Sequence, residues 1–383
     1  MSVPEKFDSI GVLDYDKWLE PKHFQHTPQA LRDDDVDIEV EACGICGSDI
    51  HAASGAWSRP YVPLAVGHEI VGKIAAVGPN VTKFKIGDRV GVGAQCDSCG
   101  KCIICHDGKE NHCKGIVGTY RGLYKETNTP TQGGYSNFVR LNSRFTFKIP
   151  DAISSTDAAP LLCGGITGFR PLMTAGVKKG TKVGVNGIGG IGHMTILFAK
   201  AMGAEVTAIS RNDKKQALAK ELGADHYIST SEEGYDEKHA YKLDVIVNTG
   251  SSFSEGSVNS MLKLIRPGGR LISITVPPAT EKLVIDPFTF LLSGVSIEAS
   301  IIGSPKDIEY MLEFVAEHKI KPRIETIDIS EENVATAWQR VTDGDVKFRF
   351  VLTGYDKYFK KYANIKYTFH QYVFNYVNMS SHS

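Results

Sequence analysis

Apolar positions change rhythm along the chain. In the first third they come in short runs broken by Gly, Pro and Asn, as in VDIEVEACGIC (36–46), EIVGKIAAVG (69–78) and DRVGVGAQC (88–96). Such punctuated runs predict short strands joined by turns, a β-rich and irregular part. In the middle, TKVGVNG, EVTAIS, LDVIVNTG and GGRLISIT read as strands, while GHMTILFAKAMG and KKQALAKELG carry apolar residues at helical spacing. Strand and helix in alternation predict a parallel sheet covered on both faces. After about Ser293 comes one more β run, GVSIEASII, then a helix with Ser304 as N-cap and Pro305 at its first position. Ile308, Met311, Leu312 and Val315 form its buried stripe. There is no internal repeat. Residues 361–383 gather aromatics such as Tyr362, Tyr367 and Phe369, and the behaviour of termini predicts a poorly ordered extension there.

Composition narrows the class. The 383 residues suffice for two domains. With 42% hydrophobic and 23% charged residues, the chain resembles an ordinary soluble protein. A net charge of −1 gives no field to gather nucleic acid or anionic lipid. Pro4, Glu5, Lys6 and Asp8 stand where a signal peptide needs apolar residues, so a cytoplasmic location is expected. The most apolar segment, PFTFLLSGVSIEASIIG, is interrupted by Ser293, Ser296 and Glu298, short of the ~20 apolar residues that span a bilayer. Eight Cys in such a chain point to metal or catalysis rather than disulfides.

Their spacing gives two metal sites. Cys99, Cys102 and Cys105 form CxxCxxC, and Cys113 follows. Four thiolates on one compact loop suit tetrahedral zinc and leave no coordination position free, a structural site. Spacing alone leaves open a register through Cys96, Cys99, Cys102 and Cys113. The second set is dispersed: Cys46 in CGICGSDIH, His68 with Glu69 in GHE, and Cys163 in APLLCGG. Two thiolates and an imidazole would hold a zinc of nearly neutral charge with one position open for water or substrate.

Between the 181–187 run and the following helix, Gly187, Gly189 and Gly192 form GxGxxG, with Gly190 inside it. A Gly-rich turn from strand to helix lets a pyrophosphate approach the exposed helix amides. The second strand ends at Ser210 and runs into Arg211, with Lys214 and Lys215 nearby, where an acidic residue would select NAD. A hydroxyl and cations suit a 2′-phosphate, so NADP(H) is expected, with Asp213 the counterweight.

Together these motifs resemble the zinc-containing medium-chain alcohol dehydrogenases, in particular the cinnamyl-alcohol-dehydrogenase-type branch and its yeast NADP-dependent, broad-specificity members. CGICGSDIH, VGHEIVG, the Cys99–Cys113 loop, TQGGYSNFV, APLLCGGITGF and GIGGIG carry the resemblance, which covers about residues 5–360. It implies an α/β fold: a Rossmann doubly wound parallel sheet, residues 156–293, and a GroES-like β-rich catalytic domain, residues 1–155 and 294–360, with the active site in the cleft between them. It also implies two zinc ions per chain, one on Cys46, His68 and Cys163 with Glu69 beside it, the other on Cys99, Cys102, Cys105 and Cys113, leaving Cys96 spare. Asp49 would orient His68, Ser48 would pass a proton to His51 and on to solvent, and Thr167 would lie near the nicotinamide. Trp57, Thr119 and Tyr120 are candidate pocket residues. The implied reaction moves hydride between NADP(H) and aromatic, cinnamyl-type, or medium-chain aliphatic aldehydes and alcohols, in a homodimer. Two other readings compete: an NAD-dependent polyol or formaldehyde-type dehydrogenase of the same superfamily, and a zinc-binding interaction protein that has lost catalysis.

Overall fold

The computed structural model describes residues 3–250, 257–275 and 281–362. The expectation for the tail falls almost wholly on residues 363–383, which lie outside the described residues.

Six strands make one parallel sheet. In space they run His226–Ser229, Glu205–Ser210, Lys182–Asn186, Leu243–Asn248, Ile265–Ser273 and Ser296–Ala299. Numbered along the chain the order is 3-2-1-4-5-6, which leaves a crevice where it reverses, beside Lys182–Asn186. Val183, Val185, Val206, Ala208, Val245 and Val247 are buried, as sheet residues covered on both faces must be. Two boundaries differ from the sequence pattern. Asp213–Lys215 is a 3-10 turn and only Gln216–Glu221 is α-helical, because Asn212 caps the turn by accepting from the Lys214 N–H at 3.1 Å. The strand read as GGRLISIT begins earlier, at Ile265. The sixth strand, Ser296–Ala299, lies past residue 293 yet pairs with Ile265–Ser273 in parallel register.

The second sheet is mixed. Its path runs Glu325–Asp328, Phe350–Thr353, Asp35–Ile45, Ile70–Val77, Arg89–Val92 and Thr146–Lys148, and Phe138–Asn142 also pairs with Asp35–Ile45. All these pairings are antiparallel except that of Glu325–Asp328 with Phe350–Thr353. Phe350 lies opposite Ile45 and Leu352 opposite Cys43, so a strand from the chain's far end borders the residues leading into Cys46. Trp338, fully buried against Tyr135 and Trp18, anchors this core.

The helix Pro305–His318 starts as its sequence predicts. Ser304 Oγ accepts from the Asp307 N–H at 3.3 Å and Asp307 Oδ2 accepts from the Ser304 N–H at 2.9 Å, a reciprocal cap. Ile308, Met311, Leu312 and Val315 are buried against the dinucleotide-side core. Among the described residues no helix is long and apolar enough to cross a membrane.

Candidate active site

Cys46 closes the strand Asp35–Ile45 and is the N-cap of the short helix Gly47–Ala53. His68 stands on the turn before Ile70–Val77, and Cys163 precedes the helix Gly164–Thr174. All three are buried, and their ligand atoms lie within 4.8 Å of one another. The cluster has the electrostatics of a cation site. Hydrogen bonding from Cys163 pulls the Cys46 thiol well down, while the same bond pushes Cys163 up. Burial opposes charge on His68, yet Asp49 and Cys46 outweigh it and raise the ring to about 9. His68 Nε2 is buried without a hydrogen-bond partner. An orphaned nitrogen facing two thiols, one of them already acidified, fits zinc and its preference for N and S ligands.

Asp49 differs from its expected part. Its Oδ1 lies 3.9 Å from His68 Nδ1, a charge contact too long for a hydrogen bond. Both of its oxygens instead accept from backbone, Oδ2 from the Cys46 N–H at 2.8 Å and Oδ1 from the Gly67 N–H at 3.1 Å. Asp49 therefore fixes the two turns that carry Cys46 and His68, and acts on the ring through its charge.

Sequence reasoning missed Arg349. Its guanidinium is buried beneath the cluster, bonded through Nη2 to Glu69 Oε1 and 3.9 Å from Cys46 Sγ through Nη1. Glu69 Oε1 also accepts from the Gly164 N–H at 3.1 Å, and Oε2 has no partner. Burial pushes the Glu69 carboxyl up to about 8 despite the arginine. Nothing local marks Arg349; the only signal available was a cation immediately before an apolar strand.

Ser48 Oγ is 3.7 Å from Cys46 Sγ and half-buried. His51, one turn along the same helix, is exposed and stacks on Trp57 at 5.1 Å. Residues three apart on a helix share a face, so a short path leads from the cluster to solvent. Thr167 is buried in the first turn of Gly164–Thr174, its hydroxyl on the Cys163 carbonyl at 2.7 Å. The Tyr120 ring lies parallel to His68 at 5.2 Å. Thr119 is buried with its hydroxyl on the Gly93 carbonyl, which makes it core rather than pocket.

The second cluster is compact. Sγ distances are 3.5 Å for Cys99–Cys113, 3.6 Å for Cys102–Cys105, 3.8 Å for Cys102–Cys113 and 3.9 Å for Cys99–Cys105. A regular tetrahedron with Zn–S of ~2.3 Å has edges of about 3.8 Å, so the four thiols fit zinc. The lysine-flanked backbone contributes too, since the Lys101 N–H pulls Cys99 down to about 6. Cys96 lies outside this group. Its thiol donates to the Gly118 carbonyl at 3.3 Å, and burial pushes it up to about 12, which leaves it an inert core residue.

Gly187–Gly192 turns from Lys182–Asn186 into the helix Gly192–Ala201. Gly187 has φ +92°, and a Cβ on Gly192 would meet the Gly187 carbonyl at 1.9 Å. Around Gly189 there is open space, a cradle that a side chain would fill. Ser210 ends the second strand, and Arg211 and Lys214 beyond it are exposed. The Lys215 ammonium reaches back to the Ile188 carbonyl at 2.8 Å, and burial lowers its pKa. Glu205, at the strand's other end, pairs with His226. An open turn flanked by a hydroxyl and cations fits a phosphorylated dinucleotide.

Known proteins share this arrangement. Residues 32–151 match the family model described as alcohol dehydrogenase GroES-like domain, and residues 190–317 that described as zinc-binding dehydrogenase. The chain is 46% identical over 361 residues to a Saccharomyces cerevisiae protein named NADP-dependent alcohol dehydrogenase 6, covering 94% of this chain and 99% of that one. A cinnamyl alcohol dehydrogenase from Sorghum bicolor superposes with a TM-score of 0.85 at 33% identity, covering 91% of this chain and 98% of its own. A Helicobacter pylori enzyme of the same kind, complexed with NADP(H), gives 0.83 at 34%, with the same coverage. Two cysteine clusters, a Gly-rich turn on a 3-2-1-4-5-6 sheet and these likenesses have one explanation: the chain belongs to the zinc-binding, GroES-like alcohol dehydrogenase family.

Proposed function

We propose that this protein is an NADP(H)-dependent alcohol dehydrogenase and aldehyde reductase acting on aromatic, cinnamyl-type, or medium-chain aliphatic substrates. The observation that carries the reading is the meeting of Cys46, His68 and Cys163 around an unpartnered imidazole nitrogen. Zinc held by these residues supplies Lewis acidity toward a carbonyl, and NADP(H) on the Gly187–Gly192 turn supplies or takes up hydride. Gly187, Gly189, Gly190 and Gly192 make room for the pyrophosphate, Ser210, Arg211 and Lys215 meet the 2′-phosphate, and Thr167 borders the nicotinamide. Ser48 Oγ donates a proton toward the reduced substrate oxygen, and His51, exposed one turn away, replaces it from solvent. Arg349 holds Glu69 in place beneath the ligands. Cys99, Cys102, Cys105 and Cys113 hold a structural zinc.

The working unit in this reading is a cytoplasmic homodimer. Ser296–Ala299 is a sheet edge with no outer strand among the described residues, and Phe288, Leu291, Leu292 and Ile301, on the chain segments that flank it, are exposed. An unpaired edge next to an apolar patch suits a second copy related by a two-fold axis. We divide the chain into a catalytic part, residues 1–155 and from about 300 to 360, and a dinucleotide part between them. The later boundary keeps the sixth strand with its sheet.

The deciding experiment is turnover of cinnamaldehyde, benzaldehyde, furfural and straight-chain aldehydes with NADPH and NADH, alongside metal analysis. Two zinc ions per chain and preference for NADPH are expected. A clear NADH preference would overturn the cofactor assignment, and turnover without zinc the chemistry.

A further inference from the structure

His193 follows the Gly-rich turn, is fully buried, and has both ring nitrogens engaged. Its Nε2 accepts from the backbone N–H of Arg323 at 3.1 Å. That donor has no other role open to it, so Nε2 must carry the lone pair and Nδ1 the proton. Nδ1 lies 3.3 Å from the Gly189 carbonyl, which also accepts from the His193 backbone N–H at 3.1 Å. Burial holds the ring at about 4, so it stays neutral near pH 7. The other faces of the site are equally fixed. The ring packs on Phe348 at 4.4 Å, and Phe348 is held in the left-handed region at φ +74°. Gly190 presses on the same strip, since a Cβ there would stand 2.9 Å from the Phe348 carbonyl and 2.8 Å from Arg349 Cδ.

The doubly held carbonyl has a geometric consequence. In a planar trans peptide the carbonyl of one residue and the N–H of the next point in opposite directions. With the Gly189 oxygen turned toward His193, the Gly190 N–H is turned the other way, and Gly189 itself borders open space. We propose that His193 is a positioning residue for the dinucleotide: by capturing the Gly189 carbonyl it aims the Gly190 amide at the pyrophosphate and keeps a lone pair from facing that anion. This rests on the assignment of the turn to NADP(H).

The test is equilibrium binding to the zinc-loaded protein without substrate, followed by fluorescence, with two probes. NADPH carries the pyrophosphate; adenosine 2′-monophosphate lacks it and reports the Ser210–Lys215 end alone. His193→Phe keeps a ring against Phe348 but removes both hydrogen bonds. It should raise the Kd for NADPH about tenfold, the loss of one charge-directed hydrogen bond, and leave that for adenosine 2′-monophosphate unchanged. His193→Asn restores an N–H donor near the Nδ1 position and should bring NADPH affinity to within about threefold of the parent. Unchanged NADPH binding in His193→Phe, or equal weakening of both probes, overturns the proposal. If His193→Phe does not fold, His193→Asn decides it alone, because selective weakening of NADPH by about tenfold there would contradict the donor's role. Failure of the parent protein to bind NADPH would instead overturn the assignment of the turn.

Discussion

Single residues carry the sharpest tests. Cys163→Ala removes one thiolate from the three-ligand cluster while leaving Cys99, Cys102, Cys105 and Cys113 intact. Zinc should fall by one ion per chain, and turnover about a thousandfold or more, as expected when polarisation worth several kcal/mol is lost. Arg349→Met leaves Glu69 buried without its cation, at a cost of about 3–5 kcal/mol in denaturant unfolding, and adding Glu69→Gln should recover much of it. An additive double mutant would show that the two do not act as a pair. The members of this cluster were legible because Cys46, His68 and Cys163 each sit in a short motif beside glycine. Arg349 was not, since its partner Glu69 is 280 positions away and nothing in KFRFV distinguishes a buried arginine from an exposed one. Two histidines set a pH response. Burial holds both His26 and His193 at about 4, below the ordinary 6.5. Between those values the unfolded chain binds more protons than the folded one, so their contribution is complete above about pH 6.5 and is lost as pH falls toward 4. Each costs about 1.4 kcal/mol per pH unit in that window. Between pH 7 and pH 5 the melting temperature of His193→Asn should therefore rise relative to that of the parent protein.

Elements were read from the sequence as well as their local chemistry allowed. The helix at 305 was predicted at its first residue, because a serine, a proline and a following aspartate specify a start by local bonds alone. Ser304→Ala should cost about 1 kcal/mol in chemical denaturation, and no change would show that Pro305 suffices to start the helix. The four-thiol loop was legible for the same reason, as its ligands fall within 15 positions of one another. Choosing between its two registers from spacing was not possible, since what separates them is three-dimensional: Cys105 Sγ lies 3.6 Å from Cys102 and 3.9 Å from Cys99, while the Cys96 thiol is turned to the Gly118 carbonyl. The sixth parallel strand was recognised as β, yet its membership of the dinucleotide sheet depends on which neighbour it pairs with, a long-range fact.

For the whole molecule, the edge beside Ser296–Ala299 makes a clear prediction. Leu291→Asp with Ile301→Asp places charges on the exposed apolar patch and should make the proposed dimer a monomer by light scattering, with the metal clusters intact. A persistent dimer would move the interface elsewhere. The chain's threading has a further effect. The strand Phe350–Thr353 docks beside Cys43–Ile45, and the guanidinium preceding it holds the Glu69 carboxyl beside Cys46. A nascent polypeptide leaves the ribosome N-terminus first, so Cys46, His68 and Glu69 emerge some three hundred positions ahead of their last companion. During translation those groups wait in an unfinished pocket, and a message cut short anywhere before the codon for Arg349 yields a protein that cannot complete it.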